Sequence, residues 1–472
     1  MTPVLTALGN RWDSVVATRL EASRDVQLTR RCADLADLLA TAAAGLGSVA
    51  VVSEDLRGLD LSVVATLHAA GVRVVGLSLP GDEGSERRLR QLGVDLVVAA
   101  DADRQALEQA LVSVVTAAGG AGGSAGGSAG RAGGGPGGGS LGESRGREGR
   151  PSESRGGAGS TPAGRDGGRD GGRDAGRDAG RSHGGDDGRA FDPGEVDLVP
   201  GRVVAVWGPT GAPGRSTIAV NLAAELAGLG IPTLLIDLDT YGGCVAQALS
   251  MLDEAPGIAA ATRAADQGTL DLPALARISP EVLPGMRVLT GIPRADRWPE
   301  VRTAALERVL TLARLLAQVV VLDCGFNLED DEELSYDTAA PRRNAATLTA
   351  LAESDVVLAV GSCDPVGLQR LVRGLQELGT VPSPTPLVVV NRLRAGAVGS
   401  RPEARVSEAL ERFAGITEVT FVPEDRAGLD VAALEGRVLA ECAPSSPARA
   451  AIRALAASVA GVPVVATRRR RA

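Results

Sequence analysis

Residues 208–217 read GPTGAPGRST and follow directly on the apolar run RVVAVW. A short glycine-containing loop between a buried strand and a helix can aim backbone N–H groups, and the positive end of the helix, at phosphate oxygens. Gly211, Ala212 and Gly214 leave room for a phosphate to approach the backbone. Ser216 stands where a magnesium-ligating hydroxyl is expected, and Thr217 follows it. Against the pattern GxxxxGK[ST], Pro209 replaces the first glycine and Arg215 the lysine. Taken alone, the loop is equally readable as an ordinary strand-to-helix turn.

Three carboxylates bear on that choice. The run LLIDLDTYGG ends a strand with Asp237 and Asp239 two residues apart, so both project from the same side of it. A second run, VVVLDCG, ends in Asp323. A lone aspartate at a strand end is often only a helix cap, but three of them beside a phosphate loop make a site for magnesium and water.

Parallel strands are needed to bring these residues together. From Arg202 onward the apolar runs VVAVW, TLLIDLD, VVVLDCG, VVLAVGS, LVVVNR and VTFVP lack polar alternation and are separated by helical stretches such as STIAVNLAAELAGLG. That is the signature of strands buried on both faces. Right-handed crossovers then collect the loops at the strands' carboxyl ends on one edge. The expected fold class is α/β, a doubly wound, mostly parallel sheet over residues 196–461.

Ahead of it, residues 1–116 alternate five short β-rich runs with helical stretches, which predicts a smaller flavodoxin-like α/β domain. Residues 117–195 are dominated by Gly, Ser, Arg, Asp and Ala, including GRDGGRDGGRDAGRDAGR. This composition cannot bury enough apolar surface to offset its ordering entropy, so it reads as a disordered linker. As a flexible coil of about 75 residues it would hold its ends roughly 45 Å apart and leave the geometry of the two domains unfixed. Residues 462–472 form a tail ending in Arg468–Arg471.

Composition narrows the function classes. Five cysteines without CxxC spacing argue against a disulfide framework or a zinc site, and two histidines leave little scope for histidine chemistry. His68 is assigned to ordinary surface or core duty. No signal-like start and no long apolar run is present, which points to a cytoplasmic protein. The net charge of −9 does not predict a generic polyanion binder. All 49 basic residues are arginine and none is lysine, so Arg215 can reflect a chain-wide bias instead of a lost function.

The stretch GPTGAPGRSTIAVNLAAELAGLGIPTLLIDLDTYGG resembles the deviant P-loop region of the MinD/ParA ATPases, whose usual pattern is KGGxGKTT, then NLA, then a strand ending in DxD. The likeness continues through MRVLTGIP, VVVLDCG, VVVNR and VPEDRAGLDVAALEGRVL and covers about residues 202–459. The resemblance implies ATP and Mg2+ as ligands. Gly211, Ala212, Gly214, Arg215, Ser216 and Thr217 would hold the phosphates, and Ser216 would ligate Mg2+, with Asp237 and Asp323 on its water shell. Asp239 would position the attacking water, with Asn391 and Pro423, Glu424 and Asp425 at the base.

It further implies a nucleotide-dependent homodimer and protein partners in division, partitioning or pilus machinery. The family's signature lysine aligns with Thr210, so that contact is lost, and Arg215 offers a planar fork where a point charge is usual. Arg342 and Arg343 are candidates for a substitute cation. Glu329 to Glu333 offer either a partner surface or a solvated acidic loop.

Residues 1–116 are similar to response-regulator receiver domains. That family's acidic pair after the first strand is replaced by GNRW here, the third strand ends in Ser53, Glu54 and Asp55, Ser78 follows the fourth, and Ala99 falls about where the lysine is expected. The resemblance implies a degenerate receiver-like domain that is not phosphorylated. Together the two parts resemble the CpaE/TadZ branch, whose members localise pilus machinery. The expected function is an ATP-binding, ATP-hydrolysing positioning factor. Competing readings are a hydrolysis-impaired scaffold and a signalling adaptor. The arginine tail reads as a disordered tail, the alternative being weak membrane or DNA contact, which would place the protein peripherally at the inner face of the membrane.

Overall fold

A computed structural model describes residues 1–9, 11–120, 199–211, 213–251, 257–330 and 341–461. The linker from residue 121, the tail with Arg468–Arg471, and Ala212 lie outside the described residues, as do Asp331, Glu332 and Glu333.

The first sheet is built from β1 (Thr2–Ala7), α1 (Asp13–Glu21), β2 (Val26–Arg31), α2 (Leu35–Ala43), β3 (Val49–Ser53), α3 (Leu61–Ala69), β4 (Arg73–Ser78), α4 (Glu83–Gln91), β5 (Leu96–Ala99) and α5 (Arg104–Gly120). Its five strands are all parallel in the order β2-β1-β3-β4-β5, the doubly wound order of flavodoxin-type sheets. Asp34, Asp60 and Asp82 cap α2, α3 and α4 by accepting first-turn N–H groups, so each crossover helix starts where its aspartate stands. Helix α5 continues to Gly120, past residue 116, because the apolar spacing of Leu107, Leu111 and Val114 carries it along the sheet before the glycines begin.

The second sheet begins with β6 (Arg202–Trp207), α6 (Arg215–Gly228), β7 (Thr233–Leu238), α7 (Val245–Ala248), α8 (Gly257–Asp266), α9 (Leu272–Ile278), β8 (Glu281–Leu283) and β9 (Met286–Leu289). It continues with α10 (Thr303–Leu316), β10 (Val319–Cys324), α11 (Ala345–Ala352), β11 (Val356–Ser362), α12 (Pro365–Leu378), β12 (Leu387–Leu393) and α13 (Ala395–Val398). The chain ends in α14 (Pro402–Ala414), β13 (Val419–Pro423), α15 (Arg426–Glu435), α16 (Leu439–Cys442) and α17 (Pro447–Val459).

Eight strands run in the order β13-β12-β11-β6-β10-β7-β9-β8, and only β8 pairs antiparallel. The continuous apolar runs have their expected cause. Along β6, Val203, Ala205 and Trp207 enter the core on one face while Val204 and Val206 enter the core on the other. Each such side chain contributes about 1.5–3 kcal/mol relative to exposure.

Helix α6 is buried from Ile218 to Ala227 between the sheet and α17, and its alanines permit that close approach. Within it, the 4% exposed Glu225 is matched by Arg449 at 2.6 Å.

The two sheets belong to one compact unit. Arg302, ahead of α10, pairs with Asp60 at 3.2 Å, Ser62 bonds Asp266 at 3.3 Å, and Arg88 donates to the Gln267 carbonyl at 3.2 Å. These contacts supply geometry that a flexible tether alone would leave open. Among the described residues no helix is long and apolar enough to cross a membrane.

Candidate functional site

Strand β6 pairs with β10 on one side and β11 on the other, and β10 pairs with β7. In that register Asp323 stands directly beside Asp237 on β7 and Val206 on β6. The loop after β6, the DxD after β7 and the aspartate of β10 therefore meet at one carboxyl edge.

The loop's conformation explains its glycines. Gly211 has φ +107 and Gly214 φ +98, a region that disfavours any other residue. A Cβ on Gly208 would collide with the Val360 carbonyl of β11, and one on Gly214 with the Asn391 amide. Gly214 is also the N-cap of α6 and has no side chain to cap it, so the first-turn N–H groups stay available to an anion. Beneath the loop, Trp207 is fully buried, donates its indole N–H to the Phe326 carbonyl at 3.3 Å, and packs under Gly374 of α12.

Arg215 is committed to its own loop. It donates to the Gly208 carbonyl at 2.8 Å and the Pro209 carbonyl at 3.3 Å, and it pairs with Asp239 at 3.3 Å, both partners being about nine-tenths buried. The other Asp239 oxygen accepts from the N–H groups of Tyr241 at 2.9 Å and Gly242 at 3.2 Å. Asp237 accepts from the N–H groups of Asp239 and Val245, each at 3.1 Å, while Gly243 and Gly291 leave space against its carboxylate. Burial pushes Asp237 up to about 6, with the Asp239 charge adding to it against these N–H bonds.

Asp323 differs from both. It is fully buried, and neither carboxylate oxygen has a hydrogen-bond partner. Burial, and next the charge of Asp237, raise it well above the usual carboxylate range; the nearby Ser216 hydroxyl acts in the opposite sense without closing a hydrogen bond. An uncompensated buried carboxylate is costly until a cation or donor reaches it.

Among the described residues no group of three or more His, Cys, Asp or Glu side chains encloses a metal ion by itself. The donor set fits instead a hard cation held by one hydroxyl and by ligand oxygens, with carboxylates bonding its waters, which is how magnesium is usually bound.

A cavity of about 620 Å3 opens beside Ser216, large enough for a nucleotide. Ser216, Thr217, Asn391, Pro423, Glu424 and Asp425 all line it. Asn391 is 5% exposed, donates to the Pro213 carbonyl at 2.8 Å and accepts from the Arg392 N–H at 2.8 Å. Its amide thus ties β12 to the loop after β6. Glu424 accepts from Arg394 at 3.0 Å and Arg426 at 3.3 Å, and Asp425 caps α15 through the Gly428 N–H.

The substitute cations expected from the sequence are engaged elsewhere. Arg343 bonds the Thr240 hydroxyl and carbonyl and stacks 3.9 Å over Tyr241, and Arg342 pairs with Asp330 at 2.9 Å. Sequence reasoning missed the aromatic pair Tyr241 and Phe326, whose rings lie 4.8 Å apart beside Asp239, and it missed Arg370 against Gly211. Tyr241 was visible only as the residue two places after the DxD aspartate. Thr210 is exposed at the outer bend of the loop.

In the first sheet the corresponding edge is different. The Ser53 hydroxyl accepts from the Gly9 N–H at 2.7 Å and donates to Asp55 at 2.5 Å, and a Cβ on Gly9 would strike the Asp55 carboxylate. His68 sits at the opposite edge, 2.9 Å from Asp95.

No protein-family model matches the chain, and neither does any curated protein sequence. Solved structures similar to it include a ParA family ATPase from Chlorobium tepidum TLS, 18% identical over 54% of this chain and 98% of that one, with a TM-score of 0.46. The cell division ATPase MinD of Pyrococcus furiosus is 17% identical over 55% of this chain and 99% of that one, at 0.45. The septum site-determining protein MinD of Pyrococcus horikoshii OT3, solved with Mg-ADP, is 17% identical over 55% and 95%, at 0.43.

Proposed function

We propose that the carboxyl edge of the second sheet binds ATP with Mg2+, and that the chain is a MinD/ParA-like ATPase acting as a nucleotide-dependent positioning factor. The observation that carries this reading is Asp323: a buried carboxylate with both oxygens unpartnered, beside Asp237 and near Ser216, at the edge where α6 begins uncapped. A ligand or ion that reaches such a group accounts for its retention.

In this reading Gly211, Ala212, Gly214, Arg215, Ser216 and Thr217 hold the phosphates. Ser216 ligates the ion, and Asp237 and Asp323 accept from its waters. When bound, Mg2+ supplies charge neutralisation on the phosphates. Asp239 orients the attacking water, and Asn391 with Pro423, Glu424 and Asp425 borders the base. A bound phosphate competes with the Gly208 and Pro209 carbonyls for Arg215, which loosens the tie on Asp239.

ATP then favours a homodimer, and hydrolysis resets it. The first sheet serves as a receiver-like docking or dimerisation domain. This organisation supports a CpaE/TadZ-like role in pilus localisation, with division and chromosome partitioning as the other cargoes of the family. The arginine tail adds peripheral contact with the membrane or DNA.

ATP affinity and phosphate release, measured for the wild type beside Asp239→Ala and Arg215→Ala, test the reading. Turnover lost in Asp239→Ala with binding retained supports an ATPase; a wild type that binds no ATP overturns the proposal. A second reading, the hydrolysis-impaired scaffold, is favoured by the bonds that hold Arg215 to its own loop and by the exposed Thr210. Tight ATP binding without turnover in the wild type selects it.

A further inference from the structure

Gly211 is constrained by its backbone and lies against an arginine from a neighbouring helix. Its φ of +107 excludes most side chains, and a Cβ there would collide with Nη1 of Arg370 and come within 3.2 Å of its Cζ. The Arg370 guanidinium, projecting from the second turn of α12, therefore lies directly on the phosphate loop at the residue after Thr210. The helix is set in place by Pro365 in its first turn and by Asp364, which accepts from the Gly367 N–H at 3.0 Å and the Ser362 hydroxyl at 2.5 Å.

Five other arginines around this edge are committed, whereas the exposed Arg392 side chain, like that of Arg370, has no hydrogen bond or ion pair among the described residues. Arg215 is bonded to carbonyls and Asp239, Arg343 to Thr240, Arg342 to Asp330, and Arg394 and Arg426 to Glu424. Arg370 is exposed and has no hydrogen bond or ion pair among the described residues. It borders a cavity of about 90 Å3 together with Thr210, Gly211, Ser362, Asp364 and Arg392. Arg392 enters that wall from a backbone held at φ +57, an uncommon conformation for a residue other than glycine, and also lines the larger cavity.

We propose that Arg370, on α12, supplies the terminal-phosphate cation that the loop itself lacks at Thr210. The inference rests on the nucleotide reading given above. A guanidinium presents two parallel N–H donors to a phosphate, and the glycine at 211 is what lets it reach the loop surface. The phosphate it contacts is the terminal one of a nucleoside triphosphate, held either in the same copy's loop or in that of a facing copy.

The test uses the full chain with Mg2+ and compares ADP with the slowly hydrolysed analogue ATPγS by calorimetric titration. Removing a charged donor to phosphate in Arg370→Ala is expected to weaken ATPγS binding about tenfold to a hundredfold, and to leave ADP binding and the melting temperature unchanged. Arg370→Lys recovers part of the loss, and adding Thr210→Lys to Arg370→Ala restores the preference for ATPγS.

If the phosphate belongs to the same copy, the loss appears in dilute, monomeric protein. If it belongs to a facing copy, dilute affinity is kept and ATPγS-dependent association in the ultracentrifuge is lost. Equal weakening of ADP and ATPγS, or no change in either affinity or association, overturns the role of Arg370 while the nucleotide reading stands. A wild type that binds neither nucleotide overturns both.

Discussion

The two sheets are alike at their amino edges and unlike at their carboxyl edges. In the first, Asp95 stands immediately before β5 and accepts from the Val74 N–H at 2.7 Å and Arg73 at 2.9 Å. In the second, Asp355 stands immediately before β11 and accepts from the Val203 N–H at 2.7 Å and Arg314 at 2.6 Å. Each aspartate pins the start of its strand to the second residue of a neighbouring strand that begins Arg-Val. At the carboxyl edges the first sheet closes Asp55 against Ser53 and Gly9, whereas the second leaves Asp323 unsatisfied. Of these four aspartates, the three that tie strands and loops together are saturated from within, and Asp323 is not.

The largest effect expected from this contrast is at Gly214. Gly214→Val places a β-branched residue at φ +98 and drives it into Asn391, so it should abolish ATP binding and cost about 2–4 kcal/mol in urea unfolding. Gly45→Ala in the first sheet also meets a positive φ but has nothing within 4 Å, and should cost only about 1 kcal/mol. Equal costs would remove the distinction between the two loops.

Next in size is the exchange of carboxylates. Asp323→Asn takes away a buried, unpartnered acid, so the ligand-free protein should gain about 1–2 kcal/mol while Mg2+-dependent ATP affinity collapses. Asp55→Asn should do neither, and acetyl phosphate with Mg2+ should leave no adduct on Asp55 in intact-mass spectra. A stability loss in Asp323→Asn, or a phosphorylated Asp55, breaks the comparison.

The smallest effects lie at the matched amino edges. Burial opposes ionisation of Asp95 and of Asp355. At Asp95 the Val74 N–H, His68 and Arg73 outweigh burial, and at Asp355 Arg314 and the Val203 N–H do so, leaving both below the ordinary aspartate range. A depressed native pKa stabilises above the unfolded value and loses that contribution as pH falls through the native one. Asp95→Asn, at a side chain 18% exposed, should cost about 1.5–3 kcal/mol at pH 7. Asp355→Asn, 41% exposed, should cost about 1 kcal/mol. Both costs should shrink toward zero in melts taken below the native pKa.

Much of this was legible in the sequence because period and position carry it. Six strands of the second sheet and all five of the first announce themselves as apolar runs, and Asp237, Asp239 and Asp323 stand at strand ends. Strands β8 and β9 escaped because three and four residues give no period to read, and their pairing depends on a tight turn at Gly285, with φ +78.

Arg370 escaped for a different reason. Along the chain it is one arginine on an amphipathic helix, and only the packing of α12 on β11, with Gly374 against Trp207 and Pro209, brings it onto Gly211. Arg342 and Arg343 stood out as a pair in the sequence, yet Thr240, Tyr241 and Asp330 absorb them.

Trp207 gives the molecule an optical consequence. Of the three tryptophans, Trp12 and Trp298 are partly solvated, while Trp207 is enclosed at the root of the loop after β6, with its indole N–H on Phe326 and its ring under Gly374, one turn beyond Arg370. Any ligand that shifts the loop, the aromatic pair or α12 changes the polarity and quenching around that single ring. With Trp12 and Trp298 replaced by phenylalanine, its emission would report occupancy of the edge without a label.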